Sequence, residues 1–250
     1  MIFDADTHLS PYRNFELSID AAEWSDIIDR AGIDKALAWL LPQEVKDVSE
    51  SNRYLYESAK RYPKMVPFGW ANIGEGKEKA LRDAIICLEE YGFSGVKLNG
   101  AQNSYFIDSV EAMEVCEAIA KRGGIIAFHI GADAPDHTSP WRAAASAKAF
   151  PETPILMIHM GGAQEPDVSE TVIEAARQHA NMMLVGSAIG VDKVKNAIDA
   201  LGASRVMFGS DTPFFDAVEH LSNYHAMLKA YGEEDAKLVL GGNAQRIFGI

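Results

Sequence analysis

Eight short runs rich in apolar and β-branched residues recur along the chain, and longer stretches with helical spacing lie between them. The runs are "MIFDAD" from Met1, "KALAWLL" from Lys35, "MVPFGWANI" from Met65, "GVKLNG" from Gly95, "GIIAFHI" from Gly124, "PILMIHM" from Pro154, "NMMLVGSA" from Asn181 and "RVMFGSD" from Arg205. Most are nearly continuous rather than alternating. That is the pattern of strands covered on both faces, as in parallel sheets. Parallel neighbours need a crossover, and a helix after each strand supplies one. An eight-stranded barrel of this kind takes about 250 residues, and the chain has 250. The expected fold is therefore α/β, a (β/α)8 TIM barrel forming one domain over 1–250. A doubly wound open sheet is the rival. It would carry a glycine-rich phosphate turn after the first strand, where this chain has "DADTHLSPYRN".

The intervening stretches start and stop where helix chemistry predicts. "AAEWSDIIDRAG" follows Asp20, a plausible N-cap, and ends at Gly32. "ESNRYLYESAKRYP" ends before Pro63, and "EKALRDAIICLEEYG" ends at Gly92. "SVEAMEVCEAIAKRGG" starts behind Asp108 and stops at Gly123. "SETVIEAARQHA", "VDKVKNAIDALG" and "AVEHLSNYHAMLKAYG" complete the series, with Gly202 closing the second.

Charge and cysteine usage narrow the function classes. A net charge of -13 speaks against nucleic acid and against anionic membrane surfaces, since both need clustered Lys and Arg. An anionic small molecule stays admissible, because a metal can outweigh the global charge locally. The two cysteines, Cys87 and Cys116, have no CxxC spacing and sit in helical stretches, so they read as core thiols. "MIFDADTHLS" lacks the basic-then-apolar order of a signal peptide. No apolar run approaches a membrane span. The expectation is a cytoplasmic protein.

Polar residues gather at the C-terminal ends of the expected strands, the end where barrels carry their chemistry. The first gives Asp4, Asp6 and His8, which alternate and so share a face. The fourth gives Lys97 and Asn99, the fifth His129, the sixth His159 and the eighth Asp211. Each has a plainer reading. A lone histidine at a strand end is commonly a hydrogen-bonded structural residue. Asp211, before Thr212-Pro213, equally suits a turn or an N-cap. Lys97 suits a buried lysine paired with Asp4 or Asp6. Convergence shifts the balance, because the first and eighth strands of a barrel adjoin. Imidazoles and carboxylates are the ligands of a catalytic divalent metal.

In this order the motifs resemble the amidohydrolase superfamily, in its amidohydrolase-related branch of small TIM-barrel metal enzymes. Members open with a strand ending in His-x-His, here Asp6-Thr7-His8. They carry a His ending the fifth strand, here His129, and an "HMGG"-like His ending the sixth, here His159. A "GSD-x-P"-like Asp ends the eighth, here Asp211 in "GSDTP", and a "GNA-x-R" segment follows, here "GNAQR" from Gly242. Two positions depart from the pattern. Asp6 replaces the first His, as in some decarboxylases of the branch, and Asn99 stands where relatives often have His.

The resemblance implies one divalent metal held by Asp6, His8, His129 and Asp211. Zn²⁺ is the expected ion, with Mn²⁺ and Mg²⁺ as the alternatives that an added anionic oxygen draws in. Lys97 matches the lysine of "VKL" and is not expected to bridge a second metal. Asp211 would act as general base on metal-bound water. His159 would stabilise developing charge or act as an acid. Lys97, Asn99, Trp70, Gln164 and His137 are candidate substrate contacts, and Arg13 is a candidate carboxylate anchor. The leading reading is a hydrolase cleaving an amide, lactone or related bond of a small molecule. The second is a non-oxidative decarboxylase of an aromatic or unsaturated acid. The third is a barrel that binds a ligand without catalysis. Family habit adds a homodimer. A serine hydrolase does not fit, since "GFSG" at Gly92 fails the nucleophile-elbow spacing. Neither a Walker loop nor H-E-x-x-H occurs.

Overall fold

The structure, a computed structural model, describes residues 1–13, 15–41 and 48–250. In chain order its strands are β1 (Phe3–Leu9), β2 (Lys35–Leu40), β3 (Met65–Pro67), β4 (Gly69–Trp70), β5 (Gly95–Leu98), β6 (Ile125–His129), β7 (Ile155–Ile158), β8 (Met182–Gly186) and β9 (Val206–Phe208). The helices are α1 (Ala21–Arg30), α2 (Val48–Ala59), α3 (Lys77–Ile85), α4 (Gly100–Asn103), α5 (Val110–Ala120), α6 (Pro140–Ala149), α7 (Ser169–Gln178), α8 (Val191–Leu201), α9 (Ala217–Leu228), α10 (Glu233–Lys237) and α11 (Asn243–Phe248). Among the described residues, no helix is long and apolar enough to cross a membrane.

All eight expected runs form strand, but the third is cut in two. Pro67, which has no N–H for a ladder, ends β3, and β4 resumes after Phe68. The same point divides the chain into two compact units: Met1–Pro67 with Val185–Ile250, and Phe68–Leu184.

In the first unit, β1 pairs parallel with β2, and β2 with β3. Every residue of β1 is buried, which explains a run without polar–apolar alternation. Its register against β2 slips between Asp4 and Thr7, so the simple alternation of Asp4, Asp6 and His8 is interrupted by an irregularity. The chain beyond β9 lies along the end of β1. His8 N–H donates to Thr212 O at 2.7 Å, and Asp211 N–H to Asp6 O at 2.8 Å.

Helix α1 starts as its sequence predicts. Asp20 accepts from the N–H groups of Ala22 and Glu23, and the Glu23 carboxylate accepts from Asp20 N–H at 3.0 Å, a complete capping box. Its inner face buries Trp24 and Ile28 completely, each contributing about 1.5–3 kcal/mol of transfer free energy. The indole N–H of Trp24 is satisfied by Thr7 Oγ1 at 2.8 Å. The "GNAQR" segment proves to be a staple. Asn243 Nδ2 donates to Ala203 O and Val206 O, both at 2.8 Å, and Arg246 donates to Ser204 O. These bonds tie α11 to the entry of β9. Tyr224 of α9 donates to Gly186 O at 2.6 Å, and a Cβ at Gly186 would collide with that hydroxyl.

In the second unit, β4, β5, β6 and β7 pair parallel in that order. Phe68, Val96, Ile126, Phe128 and Leu156 are fully buried among them. Helix α5 begins one residue later than expected, because Ser109 rather than Asp108 supplies the cap, to Ala112 N–H. Both cysteines are buried, and burial pushes the Cys116 thiol up to about 12, so neither is a nucleophile at neutral pH.

Candidate metal centre

The first unit brings three of the expected ligands together. His8 Nε2 lies 3.4 Å from Asp6 Oδ1 and 3.2 Å from Asp211 Oδ1. Carboxylate oxygens of Asp6 and Asp211 approach within 4.8 Å of each other. All three side chains are essentially buried. Asp211 sits at φ +61°, a left-handed conformation that Asp tolerates better than most residues and that often marks a functional position.

Neighbours fix the orientation of each group. His8 Nδ1 lies 2.5 Å from Leu40 O, which places the ring proton on Nδ1. Nε2 then accepts from the Trp39 indole N–H at 3.2 Å, and Phe214 packs edge-on against the ring at 5.6 Å. Ser187 Oγ donates to Asp6 Oδ2 at 2.5 Å. Asp4 faces away from this role: its Oδ1 accepts from Asp6 N–H at 3.1 Å and Ser210 N–H at 2.9 Å. Burial pushes the Asp4 carboxyl up to about 7, against the pull of those donors.

The donor set suits a cation. His8 Nε2, which accepts from Trp39, lies beside two carboxylate oxygens in a buried place, and the two carboxylates repel each other unless positive charge lies between them. One nitrogen and two anionic oxygens make a comparatively hard set, fit for Mn²⁺ or Mg²⁺ as well as Zn²⁺.

The second unit holds the two strand-end histidines of the expected site, His129 and His159. The rings of His129 and His159 meet edge-to-face at 4.8 Å. His129 Nε2 pairs with both oxygens of Asp133, at 3.0 and 3.1 Å. Burial raises the Asp133 carboxyl, but the hydrogen bond and charge of His129, with local backbone donors, outweigh it and hold the group below its usual range. His159 has φ +66° and Met160 φ +38°, so "HMGG" leaves the strand through a left-handed turn. Lys97 is fully buried with its ammonium 5.4 Å from the Trp70 ring. Trp70 donates to Asn103 Oδ1 at 3.2 Å.

Other expected substrate contacts are engaged locally. Arg13 pairs with Asp20 at 2.9 Å and Glu23 at 2.7 Å, and donates to Ser18 O. Its guanidinium thus braces the start of α1. Asn99 caps α4 through Gln102 N–H at 3.0 Å. His137 packs on Phe106 at 5.0 Å, and Gln164 is exposed at φ +125°. Three orienting residues escaped the sequence reading: Trp39, Asp133 and Ser187. Only Ser187 left a trace, since "VGSA" repeats at the end of β8 the Gly-Ser pair of "FGSD" after β9.

Comparison with known proteins places the chain. The amidohydrolase family pattern matches residues 43–250, so the chain belongs to the amidohydrolase family. It is accordingly an enzyme of the metal-dependent hydrolase or carboxy-lyase kind that the motifs suggested. Among curated proteins, none matches its sequence. Solved structures resemble it over nearly their whole length. A 2,6-dihydroxybenzoate decarboxylase from Rhizobium is 16% identical with a TM-score of 0.79, covering 99% of this chain and 98% of the other. A 5-carboxyvanillate decarboxylase from Novosphingobium aromaticivorans, complexed with manganese and 4-hydroxy-3-methoxy-5-nitrobenzoic acid, is 15% identical with a TM-score of 0.79, covering 100% and 96%. An uncharacterised TIM-barrel protein from Bordetella bronchiseptica is 19% identical with a TM-score of 0.76, covering 99% of each chain. These likenesses show the fold class, a TIM barrel.

Proposed function

We propose that this protein is a metal-dependent, non-oxidative decarboxylase of an aromatic carboxylic acid. The observation that carries the reading is the buried Asp6–His8–Asp211 cluster, an oxygen-rich donor set in a family of metal enzymes. Similar folds that act as decarboxylases, one of them with bound manganese, favour this reading over hydrolysis of an amide or lactone. The proposed ligands are Asp6, His8, His129 and Asp211, and Mn²⁺ is preferred to Zn²⁺ on the hardness of the set. Because His129 gives its Nε2–H to Asp133, its other nitrogen, Nδ1, is the one assigned to the metal.

When bound, the metal would supply a Lewis acid that draws negative charge from the substrate's oxygens. The chain's own groups do the rest. Asp211, once it has taken a proton from water, delivers it to the ring carbon that bears the carboxylate. The carbon–carboxylate bond then breaks, its electron pair returns to the ring, carbon dioxide leaves, and the proton stays on the ring carbon. Asp211 recovers a proton from water. His159 and Lys97 stabilise negative charge on the substrate, and the Trp70 face excludes water beside them.

The test is a parallel assay of the Mn²⁺-loaded protein on hydroxylated benzoates, amides and lactones. Release of carbon dioxide from a benzoate, without net oxidation, supports the reading. Turnover confined to amides or lactones overturns it in favour of hydrolysis.

A further inference from the structure

We infer that Ser187 is a positioning residue that makes Asp6 a one-oxygen ligand. The inference rests on the metal reading above and deepens it.

An aspartate in the first position of the His-x-His slot poses a geometric problem. An imidazole offers one nitrogen in one direction. A carboxylate offers two equivalent oxygens, and it can turn about its terminal bond or chelate through both. Something must select one oxygen. The Ser187 hydroxyl, fully buried at the end of β8, donates to Asp6 Oδ2 at 2.5 Å. Asp6 Oδ1 is then the atom turned toward His8 Nε2. The pair is separated by 181 residues, so the contact is a product of the fold rather than of local chain geometry.

A second observation shows room set aside for it. Gly209 lies behind both residues. A Cβ there would come within 3.1 Å of Ser187 Cβ, 3.2 Å of Asp6 Cβ and 2.7 Å of a Val185 methyl. A side chain at 209 would have to displace the Val185 methyl and push Ser187 and Asp6 by a few tenths of an ångström. The glycine of "FGSD" thus serves the site from behind, while its aspartate serves it from the front.

Residues that orient ligands typically change metal affinity by about 10–100-fold when removed. The experiment is Mn²⁺ titration of the chelator-treated full chain, comparing the parent with Ser187→Ala and Ser187→Cys. Cysteine keeps the volume but is a weak donor. Ser146→Ala, which deletes a buried hydroxyl bonded to Met113 sulfur, controls for general loosening. The melting temperature of each metal-free protein is read alongside. The expected result is Mn²⁺ binding weakened about 10–100-fold in both Ser187 variants, with Ser146→Ala at the parental affinity. Parental affinity in a folded Ser187→Cys overturns the inference and leaves the metal reading standing. Failure of both Ser187 variants to fold also overturns it, since the serine is then structural. A parent that binds no Mn²⁺ overturns the metal reading and the inference together.

Discussion

Nδ1 of His8 lies 2.5 Å from the carbonyl oxygen of Leu40. The neighbouring strand thereby chooses which ring nitrogen faces the carboxylates of Asp6 and Asp211. If that nitrogen is a ligand, His8→Ala removes it and leaves two carboxylates facing each other in a buried place. Bound metal in the purified variant should fall to roughly a tenth of the parent or less. Elemental analysis by mass spectrometry checks this, and a full equivalent retained in His8→Ala removes the residue from the ligand set.

The two strand-end histidines of the second unit should behave differently despite their 4.8 Å ring contact. His129→Ala should lose metal and turnover together. His159→Ala should keep the metal and lose about 10²–10⁴-fold in turnover, the usual size of a charge-stabilising or acid–base contribution. Metal content and kcat measured on the same preparations separate the two. Metal retained in His129→Ala would falsify its assignment.

Strand positions and several helix ends were legible because burial and capping are local in sequence, whereas helix α6 (Pro140–Ala149) was not read from it. Asp20 followed by Glu23, and Gly202 at φ +85°, write their roles into adjacent residues. The split of the third run was harder to read. A proline inside an apolar run does not say whether pairing resumes after it, as it does here at Gly69. The site was legible at its strand ends, where an isolated charge in an oily run stands out. Its orienting residues were not. Trp39 reads as core, Ser187 as a turn, and Asp133 as a loop acid, until folding sets them against His8, Asp6 and His129. Arg13 has local partners that the sequence reading did not name. A loop arginine suggested a substrate anchor, and it pairs with two acids a short distance along the chain.

Metal dependence follows from the donor set. Dialysis against a chelator should abolish decarboxylation, and Mn²⁺ should restore more activity than Zn²⁺, because two of the three clustered donors are carboxylate oxygens. Recovery curves for the two ions at equal concentration give the comparison. Full activity after verified metal removal would exclude the mechanism proposed here.

The Arg13–Asp20–Glu23 cluster gives a stability prediction with a definite pH sign. Asp20 is held below its usual pKa by Glu23 N–H first, partly offset by desolvation, and then by Ala22 N–H and Arg13. A carboxylate with a depressed folded pKa contributes its stability above the unfolded value, about 3.9. That contribution is lost as pH falls through the folded value. Asp20→Ala should therefore lower stability by about 1 kcal/mol at pH 7, the usual worth of an N-cap. The gap between parent and variant should close as the pH falls below that of an unperturbed aspartate. Urea unfolding of both proteins across that range measures it. A gap that stays constant into strong acid would mean that the cap acts through packing and not through its charge. The same variant should leave Mn²⁺ affinity unchanged, because the cluster contacts α1 and none of the proposed ligands.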